Sequence, residues 1–374
     1  MNSSGQQEYG WHGRWLMWRN HLLASARFQR FALRFPLTRP IARRRARDLF
    51  DFVAGFTYSQ ILAACVETKL FDLLADAPQD AAAIAIRLDL PVAGAERLLR
   101  AAAALALVEP VGSMWTLGTR GAAMRGNPGI AEMVAHHHLL YADLADPVAL
   151  LRRGGGGGAL ASLWGYAGEP GSGSPTDVAA YSALMAASQP IVAAQAIDSY
   201  PFHRHRRLLD VGGGEGGFLT AVGERVPDLA LGLFDLPAVC TRARERFAAA
   251  GLAARTTVHG GNFLADPLPP GYDIVSLIRV LHDHDDAPAK RLLRAIHAAL
   301  PPGGALLIAE PMACTRGAEP AGDAYFGFYL LAMGSGRPRS REEIVAMLHG
   351  AGFSTMRVLR TALPLTLGAI VGIR

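Results

Sequence analysis

From residue 207 onward, short apolar runs alternate with stretches of helical periodicity. The runs occupy 207–211, 229–234, 256–259, 274–277 and 305–309, and 218–225 reads as a helix between the first two. Such alternation predicts the α/β class, a parallel sheet with helices on both faces. Earlier in the chain the pattern is helical. Segments 47–65, 69–75 and 81–88 read as helices, 91–96 leads into another at 97–107, and 108–110 with 115–117 reads as a short hairpin. Helices followed by a hairpin give a winged-helix order. The helix at 97–107 carries only Arg97 and Arg100 among alanines and leucines, so DNA reading by it is not expected. A five-glycine run at 154–158 and a loose patch at 168–175 are loops, and 177–200 is helical again.

Charge adds a third region. The chain of 374 residues has a net charge of +5, yet residues 1–50 hold ten arginines against Glu8 and Asp48, and the remainder is mildly acidic. Trp11, Trp15 and Trp18 recur at i, i+4, i+7 on one helical face, with Phe28, Phe31 and Phe35 among the arginines. This pattern suits an anionic membrane surface or packing on a dimer partner, and the two can coexist. A nucleic-acid arm is a weaker reading, because nothing else in the chain is basic enough to extend it. No apolar run is expected to reach the roughly 18 residues that cross a bilayer. Residues 1–10 are polar, without a signal-peptide core, and Cys65, Cys240 and Cys314 show no metal-ligand spacing. The expectation is a cytoplasmic chain with reduced thiols, peripheral on the inner membrane if residues 11–47 touch lipid.

The first apolar run ends in Asp210-Val211-Gly212-Gly213-Gly214-Glu215-Gly216-Gly217, a sharp turn from strand to helix. Gly212, Gly214 and Gly217 satisfy GxGxxG, which by itself leaves a dinucleotide-dependent oxidoreductase open. The second run ends at Asp235, about 20 residues on, where a carboxylate holds ribose hydroxyls. Asp210 and Glu215 around the turn suit a cationic ligand better than a pyrophosphate. His282 follows the run 274–281, at the ligand-facing edge of the sheet, and imidazole accepts a proton at neutral pH.

The glycine string and Phe234-Asp235-Leu236-Pro237 resemble S-adenosylmethionine-dependent methyltransferases. With Leu281-His282-Asp283 and Ala309-Glu310-Pro311 they resemble the small-molecule O-methyltransferases of the hydroxyindole and caffeate type. The resemblance covers most of 45–374. It implies a Rossmann-like class I methyltransferase domain preceded by a mainly helical winged-helix dimerisation domain, and a terminal antiparallel pair at 356–359 and 369–373. The domains are then an arm at 1–45, the dimerisation domain at 46–180 and the cofactor-binding domain at 181–374. It further implies a homodimer, S-adenosyl-L-methionine as donor with S-adenosyl-L-homocysteine as product, and no metal. Asp210, Gly212, Gly214, Asp235, Leu236, Asn262, Phe263 and Arg279 take the cofactor positions. His282 takes the place of the general base and Glu310 that of one of the two carboxylates that orient it, with Asp283 or Asp285 as the candidates to compensate for the other.

Three departures stand out. The family's second glutamate precedes an Arg-Thr/Ser pair; here the pair is Arg339-Ser340 and the preceding residue is Pro338. Asn262 replaces an aspartate, and Ile278 replaces a lysine. A binding protein that kept the fold and lost catalysis therefore stays open, although His282 speaks against it. For the acceptor, Tyr181, Met185, Ser188, Tyr329 and Met333 are the expected lining, and Phe326, Phe328, Leu330 and Leu331 make it apolar. One or two of His136, His137 and His138 are expected to face it. The strings 35–42 and 137–144 also resemble the bacterial hydroxyneurosporene (demethylspheroidene) O-methyltransferases. That implies the tertiary hydroxyl of an acyclic carotenoid, with a phenolic or polyketide acceptor as the alternative.

Overall fold

In the computed structural model, which describes residues 10–162 and 189–374, the chain forms two units that divide after Thr119. The first begins with α1 (Trp11–Ala24), α2 (Ala26–Arg34) and the long α3 (Arg39–Glu67). Pro40 sits in the first turn of α3, where its missing N–H costs nothing. From 49 to 66 the only charged residue is Asp51, and α3 is long and apolar enough, by length and composition, to cross a bilayer. That corrects the expectation of no such run: the polar residues at 57–60 interrupt it by eye without adding charge. Helix α3 ends where Lys69 adopts a left-handed conformation, φ 56°. α4 (Leu70–Leu73), α5 (Ala81–Arg87) and α6 (Val92–Ala104) follow, and Asp80 caps α5 by accepting from the Ala83 N–H. The expected hairpin forms as β2 (Val108–Val111) and β3 (Met114–Leu117), extended by the two-residue β1 (Gln79–Asp80) into a three-stranded sheet, β1-β3-β2.

The second unit opens with α7 (Thr119–Arg125), α8 (Pro128–Asp143) and α9 (Pro147–Arg152). Compactness thus groups residues 120–162 with the sheet-bearing second unit, whereas the sequence reading drew its boundary at 180. Leu140, Leu150 and Leu160 pack with Tyr329, Leu330 and Met333, and the Gly156 N–H donates to the Leu331 carbonyl (2.8 Å), while the Asp143 carboxylate folds the glycine run back onto α8 by accepting from the Ala159 and Leu160 N–H groups (2.7 and 2.9 Å).

The main sheet has seven strands in the order β6-β5-β4-β7-β8-β10-β9. β4 (Arg207–Val211), β5 (Ala230–Asp235), β6 (Thr256–Gly260), β7 (Ile274–Ile278) and β8 (Ala305–Glu310) are parallel. β10 (Gly368–Ile373) runs antiparallel between β8 and β9 (Thr355–Leu359), the pair implied by the family resemblance. The inner strands are buried on both faces, which is why they read as unbroken apolar runs. Leu208, Leu231, Leu233 and Leu307 pack against Phe218, Val222 and Phe247 on one side. Leu209, Val275, Leu277 and Ile308 pack against Leu292, Ile296 and Leu348 on the other. The two layers leave one exit for function, the carboxyl ends of β5, β4, β7 and β8.

Candidate active site

Strand β4 delivers Asp210, fully buried, into the glycine turn. Gly212 and Gly214 have φ of 71° and 59°, which side-chain-bearing residues rarely adopt. Gly213 is needed for another reason: a Cβ there would lie 2.3 Å from Asp210 Oδ2. Asp235, the last residue of β5, fastens the turn. Its Oδ2 accepts from the Gly214 N–H and its Oδ1 from the Leu236 N–H, both at 2.7 Å. Burial pushes its carboxyl up, and those two N–H groups oppose the shift.

Asp210 Oδ1 accepts from Ser276 Oγ at 2.5 Å, while Oδ2 has no partner among the described residues. Burial pushes the Asp210 carboxyl up to about 7; the Ser276 hydrogen bond opposes this and Asp235 adds to it. An unpaired, dry carboxyl oxygen beneath a turn whose Gly214 opens onto free space fits a ligand that brings a cation. Glu215 corrects the sequence reading. Its carboxylate is taken by Arg242 (2.6 Å) and Arg246 (3.5 Å), so it ties the turn to the helix after β5, α10 (Pro237–Ala249), and is not free for a ligand.

Phe263 comes close to the turn: a Cβ on Gly212 would meet Val280 at 2.9 Å and the Phe263 ring at 3.6 Å. Asn262 Oδ1 accepts from the Leu264 N–H (2.9 Å), capping its own loop. Arg279 leaves β7 with φ 56°, a strained setting for a residue with a Cβ. Its charge acts on His282 and Asp283, lowering the pKa of both.

His282 sits in a tight 3₁₀ turn, Leu281–Asp283, beyond β7. Its Nε2 faces Asp283 Oδ1 at 3.3 Å, and Nδ1 has no partner among the described residues. Glu310 does not do what the sequence reading assigned to it. Its Oε2 accepts from the backbone N–H of His282 at 3.0 Å, so it holds the turn and not the ring. The reason is register: β8 lies beside β7, and its last residue meets the N–H groups that the turn leaves unpaired. Burial pushes His282 down to about 3, helped by Arg279, Arg339 and His284. Burial raises Glu310 to about 7, and burial with the Glu310 charge raises Asp283 well above the usual carboxylate range.

Around Pro338, where the family has its second glutamate, lies a clasp on the turn's carbonyls that sequence reasoning missed. The Leu281 carbonyl accepts from Arg339 Nη1 (2.8 Å), that of His282 from the Arg337 N–H (2.9 Å), that of Asp283 from Ser335 Oγ (2.9 Å) and that of His284 from Arg339 Nη2 (2.7 Å). Arg339 is fully buried and also bonds Asp286 through Nε and Nη2. Gly336 permits the approach, since a Cβ there would lie 2.1 Å from the His282 carbonyl oxygen. The signal was the string 334–340, rich in glycine and arginine beside the family's Arg-Ser pair.

Beside His282, Phe326 ends a π-helical turn (Pro320–Phe326), and its ring lies 5.9 Å from that of His282. Tyr329 and Met333 lie on α11 (Gly327–Met333), buried with Leu140, Leu150 and Leu160. His136 bonds the Tyr329 hydroxyl (3.2 Å) and His137 that of Tyr325 (2.8 Å), while His138 turns back to the Ala135 carbonyl. Tyr181, Met185 and Ser188 lie outside the described residues.

Residues 141–354 match the O-methyltransferase domain, and 50–119 match the O-methyltransferase dimerisation domain. The chain belongs to the O-methyltransferase family. It is an S-adenosylmethionine-dependent enzyme, with a helical dimerisation domain ahead of the seven-stranded α/β domain. It is 45% identical over 357 residues to demethylspheroidene O-methyltransferase of Cereibacter sphaeroides, covering 94% of this chain and 93% of that one. The protein of the same name from Rhodobacter capsulatus is 43% identical, over 91% and 85%. Among solved structures, PigF with S-adenosylhomocysteine superposes with a TM-score of 0.72 at 26% identity, over 88% of this chain and 99% of that one.

Two predictions test the geometry of this methyltransferase. Arg339→Met strips two turn carbonyls of charged donors, and each such bond contributes about 1.5–3 kcal/mol. Chemical denaturation should show a loss of several kcal/mol, and kcat should fall more than cofactor affinity. The second concerns pH. Asp210 keeps its proton in the folded chain up to about 7, whereas the unfolded chain releases it near 3.8. Its contribution to stability is therefore complete below about 4 and is lost as pH rises through about 7. Asp210→Asn should remove that decline, so the unfolding free energies of variant and wild type should diverge with rising pH; parallel curves would show that Asp210 does not titrate in this window.

Proposed function

We propose that this enzyme methylates the hydroxyl of an apolar small molecule, and that its acceptor is the tertiary 1-hydroxyl of an acyclic carotenoid. The observation that carries the acceptor class is the 45% identity, extending over nearly the whole of both chains, to an enzyme named for demethylspheroidene. The aromatic wall beside His282, made of Phe326, Tyr325 and Tyr329, supports an apolar ligand. A phenolic or polyketide acceptor is the competing outcome of the assay below.

When bound, S-adenosylmethionine supplies an electrophilic methyl group on a sulfonium and leaves as S-adenosylhomocysteine. Asp235 receives the ribose hydroxyls; each of its oxygens uses one lone pair on a backbone N–H and keeps another. Asp210 faces the cationic end, Gly212 and Gly214 let the ligand lie against the backbone, and Leu236, Asn262 and Phe263 border the nucleoside. Arg279 keeps its place toward the cofactor and also acts on His282 and Asp283 through its charge.

His282 is the base. Assigning its ring proton to Nε2, toward Asp283, leaves the Nδ1 lone pair for the acceptor's hydroxyl proton. A tertiary alkanol is a very weak acid, so the proton moves to Nδ1 as the new C–O bond forms. Asp283, in place of the missing glutamate, takes the charge that develops on the imidazole. The reading includes a homodimer: Phe50, Phe52, Val53 and Phe56 stand exposed on α3 within the matched dimerisation segment.

The decisive experiment incubates the enzyme with labelled S-adenosylmethionine and either a 1-hydroxylated acyclic carotenoid or a flat phenol. Label in the carotenoid ether supports the proposal, and label in the phenol alone overturns the acceptor. With the productive acceptor, His282→Ala should lower kcat by roughly 10²–10⁴-fold with cofactor affinity nearly unchanged. Because burial keeps His282 neutral down to about 3, its own ionisation should leave no acid limb between about pH 5 and 8. Near-wild-type turnover would remove it from the chemistry. Calorimetry checks the cofactor site: Asp235→Ala should weaken S-adenosylmethionine binding by roughly 10- to 100-fold, since two hydroxyl bonds to a charged group are lost together.

A further inference from the structure

The N-terminal helices carry a surface that methyl transfer does not use. Between Tyr9 and Asp48 the sequence has ten arginines and no acidic residue. Among the described residues of α1 and α2, Ala32 alone is buried. Trp11, Trp15 and Trp18 are 77, 48 and 62% exposed along one helical face, a large apolar area to leave in water. Arg14 and Arg19 flank them, and the Arg19 guanidinium lies 5.3 Å over the Trp15 ring. Phe31 on α2 and Phe35 just after it stack their rings at 5.3 Å, both exposed, among Arg27, Arg30 and Arg34. At the start of α3, Arg39, Pro40, Arg43, Arg44 and Arg47 line a surface cleft of about 420 Å³.

Helix α3 then changes character. From Leu49 it is apolar, with Phe50, Phe52, Val53 and Phe56 exposed, and the match to the dimerisation domain begins at residue 50. A second copy of the chain thus accounts for the apolar half. The basic, aromatic half lies outside the matched segment and needs a different occupant.

We propose that residues 11–47 are a docking surface for an anionic phospholipid bilayer. The arginine cleft takes lipid phosphates, which match planar guanidinium groups in charge and geometry. The three tryptophans sit at the headgroup level, where an amphipathic ring keeps its N–H in the polar layer and its body in the apolar one. A nucleic-acid backbone also offers phosphates, but it provides no apolar layer for a tryptophan face. Peripheral attachment of this kind needs no spanning segment and holds the enzyme where water-insoluble alcohols dissolve.

The test uses the full chain and sedimentation with vesicles of phosphatidylcholine, with or without phosphatidylglycerol. Binding is expected to the anionic vesicles only. It should weaken steeply as salt rises from about 0.1 M to about 1 M, where the screening length shrinks from about 10 to about 3 Å. Arg43→Gln/Arg44→Gln/Arg47→Gln should lower partitioning on the order of 100-fold, each arginine gaining about 1 kcal/mol near such a surface. Trp15→Ser/Trp18→Ser should lower it on the order of 10-fold and leave the salt dependence in place. Light scattering should find both variants in the wild-type oligomeric state, because the altered side chains are exposed. Absence of binding to anionic vesicles, equal binding to neutral ones, or capture of duplex DNA in preference to vesicles overturns the proposal. So does dissociation of either variant into monomers without a change in vesicle binding, which would make the arm a clasp between subunits.

Discussion

Parallel register is the constraint on which the site depends. β5, β4, β7 and β8 run side by side, and their carboxyl ends stop at nearly one level: Val211 pairs with Phe234, and Ile278 with Ala309. Asp235 and Glu310 therefore end their strands at the same edge, and Asp210 and His282 flank the ends of the two strands between them. No hydrogen bond between these side chains is needed to gather them. Apolar layers on both faces of the sheet do it, and the same layers keep water out. The dryness that raises Asp210, Asp283 and Glu310 and lowers His282 comes from the packing that aligns the strands.

A turn that ends a strand has nothing of its own to hold its carbonyls. Here the segment 335–339 captures four successive carbonyls, and Glu310 secures an N–H from the other side. This solution differs from a pair of carboxylates gripping the imidazole. Fixing the backbone at both polar edges fixes where the Cβ of His282 points, and Asp283 then has only the ring rotation to restrain. Arg339 is suited to the task because its guanidinium spreads several donors in one plane, reaching two carbonyls and a carboxylate together. Lysine, with one compact charged group, would leave part of that set unmet.

Much of this was legible in the chain and some was not, for physical reasons. Buried parallel strands are apolar on both faces, so they stand out as runs, and the glycine turn shows because Gly212 and Gly214 take a φ that other residues rarely adopt while Gly213 has no room for a Cβ beside Asp210. Asp235 and His282 could be read as lying at the carboxyl edge of the sheet because they close or follow apolar runs. The role of Glu310 was misread because a residue's place at a strand end does not reveal whether its carboxylate meets a ring or a backbone N–H. Glu215 was misread because its arginine partners lie some 30 residues on, on another helix. The clasp joins segments more than 50 residues apart, and its acceptors are main-chain carbonyls, so the side chains of Arg339 and Ser335 that donate to them have no partner side chain to betray them in the sequence. The apolar character of α3 was missed because polar, uncharged residues break a visual run while costing a helix little.

In the mechanism proposed above, with His282 as base, burial sets the terms of the chemistry as well. A histidine held near 3 is always ready to receive a proton but gains little by doing so. Its affinity must rise at the moment of transfer, and the group placed to raise it is Asp283, 3.3 Å from Nε2. Yet Asp283 is itself held well above the usual carboxylate range by burial and by Glu310. The same dry setting thus makes the base available and limits its strength. Arg279 resolves part of the conflict. Its charge pulls Asp283 back toward ionisation, at the cost of lowering His282 further. Such a site can remove a proton that the new C–O bond is already making acidic, but it cannot generate a free alkoxide beforehand. For an alcohol as weakly acidic as a tertiary one, that is the order of events the chemistry requires.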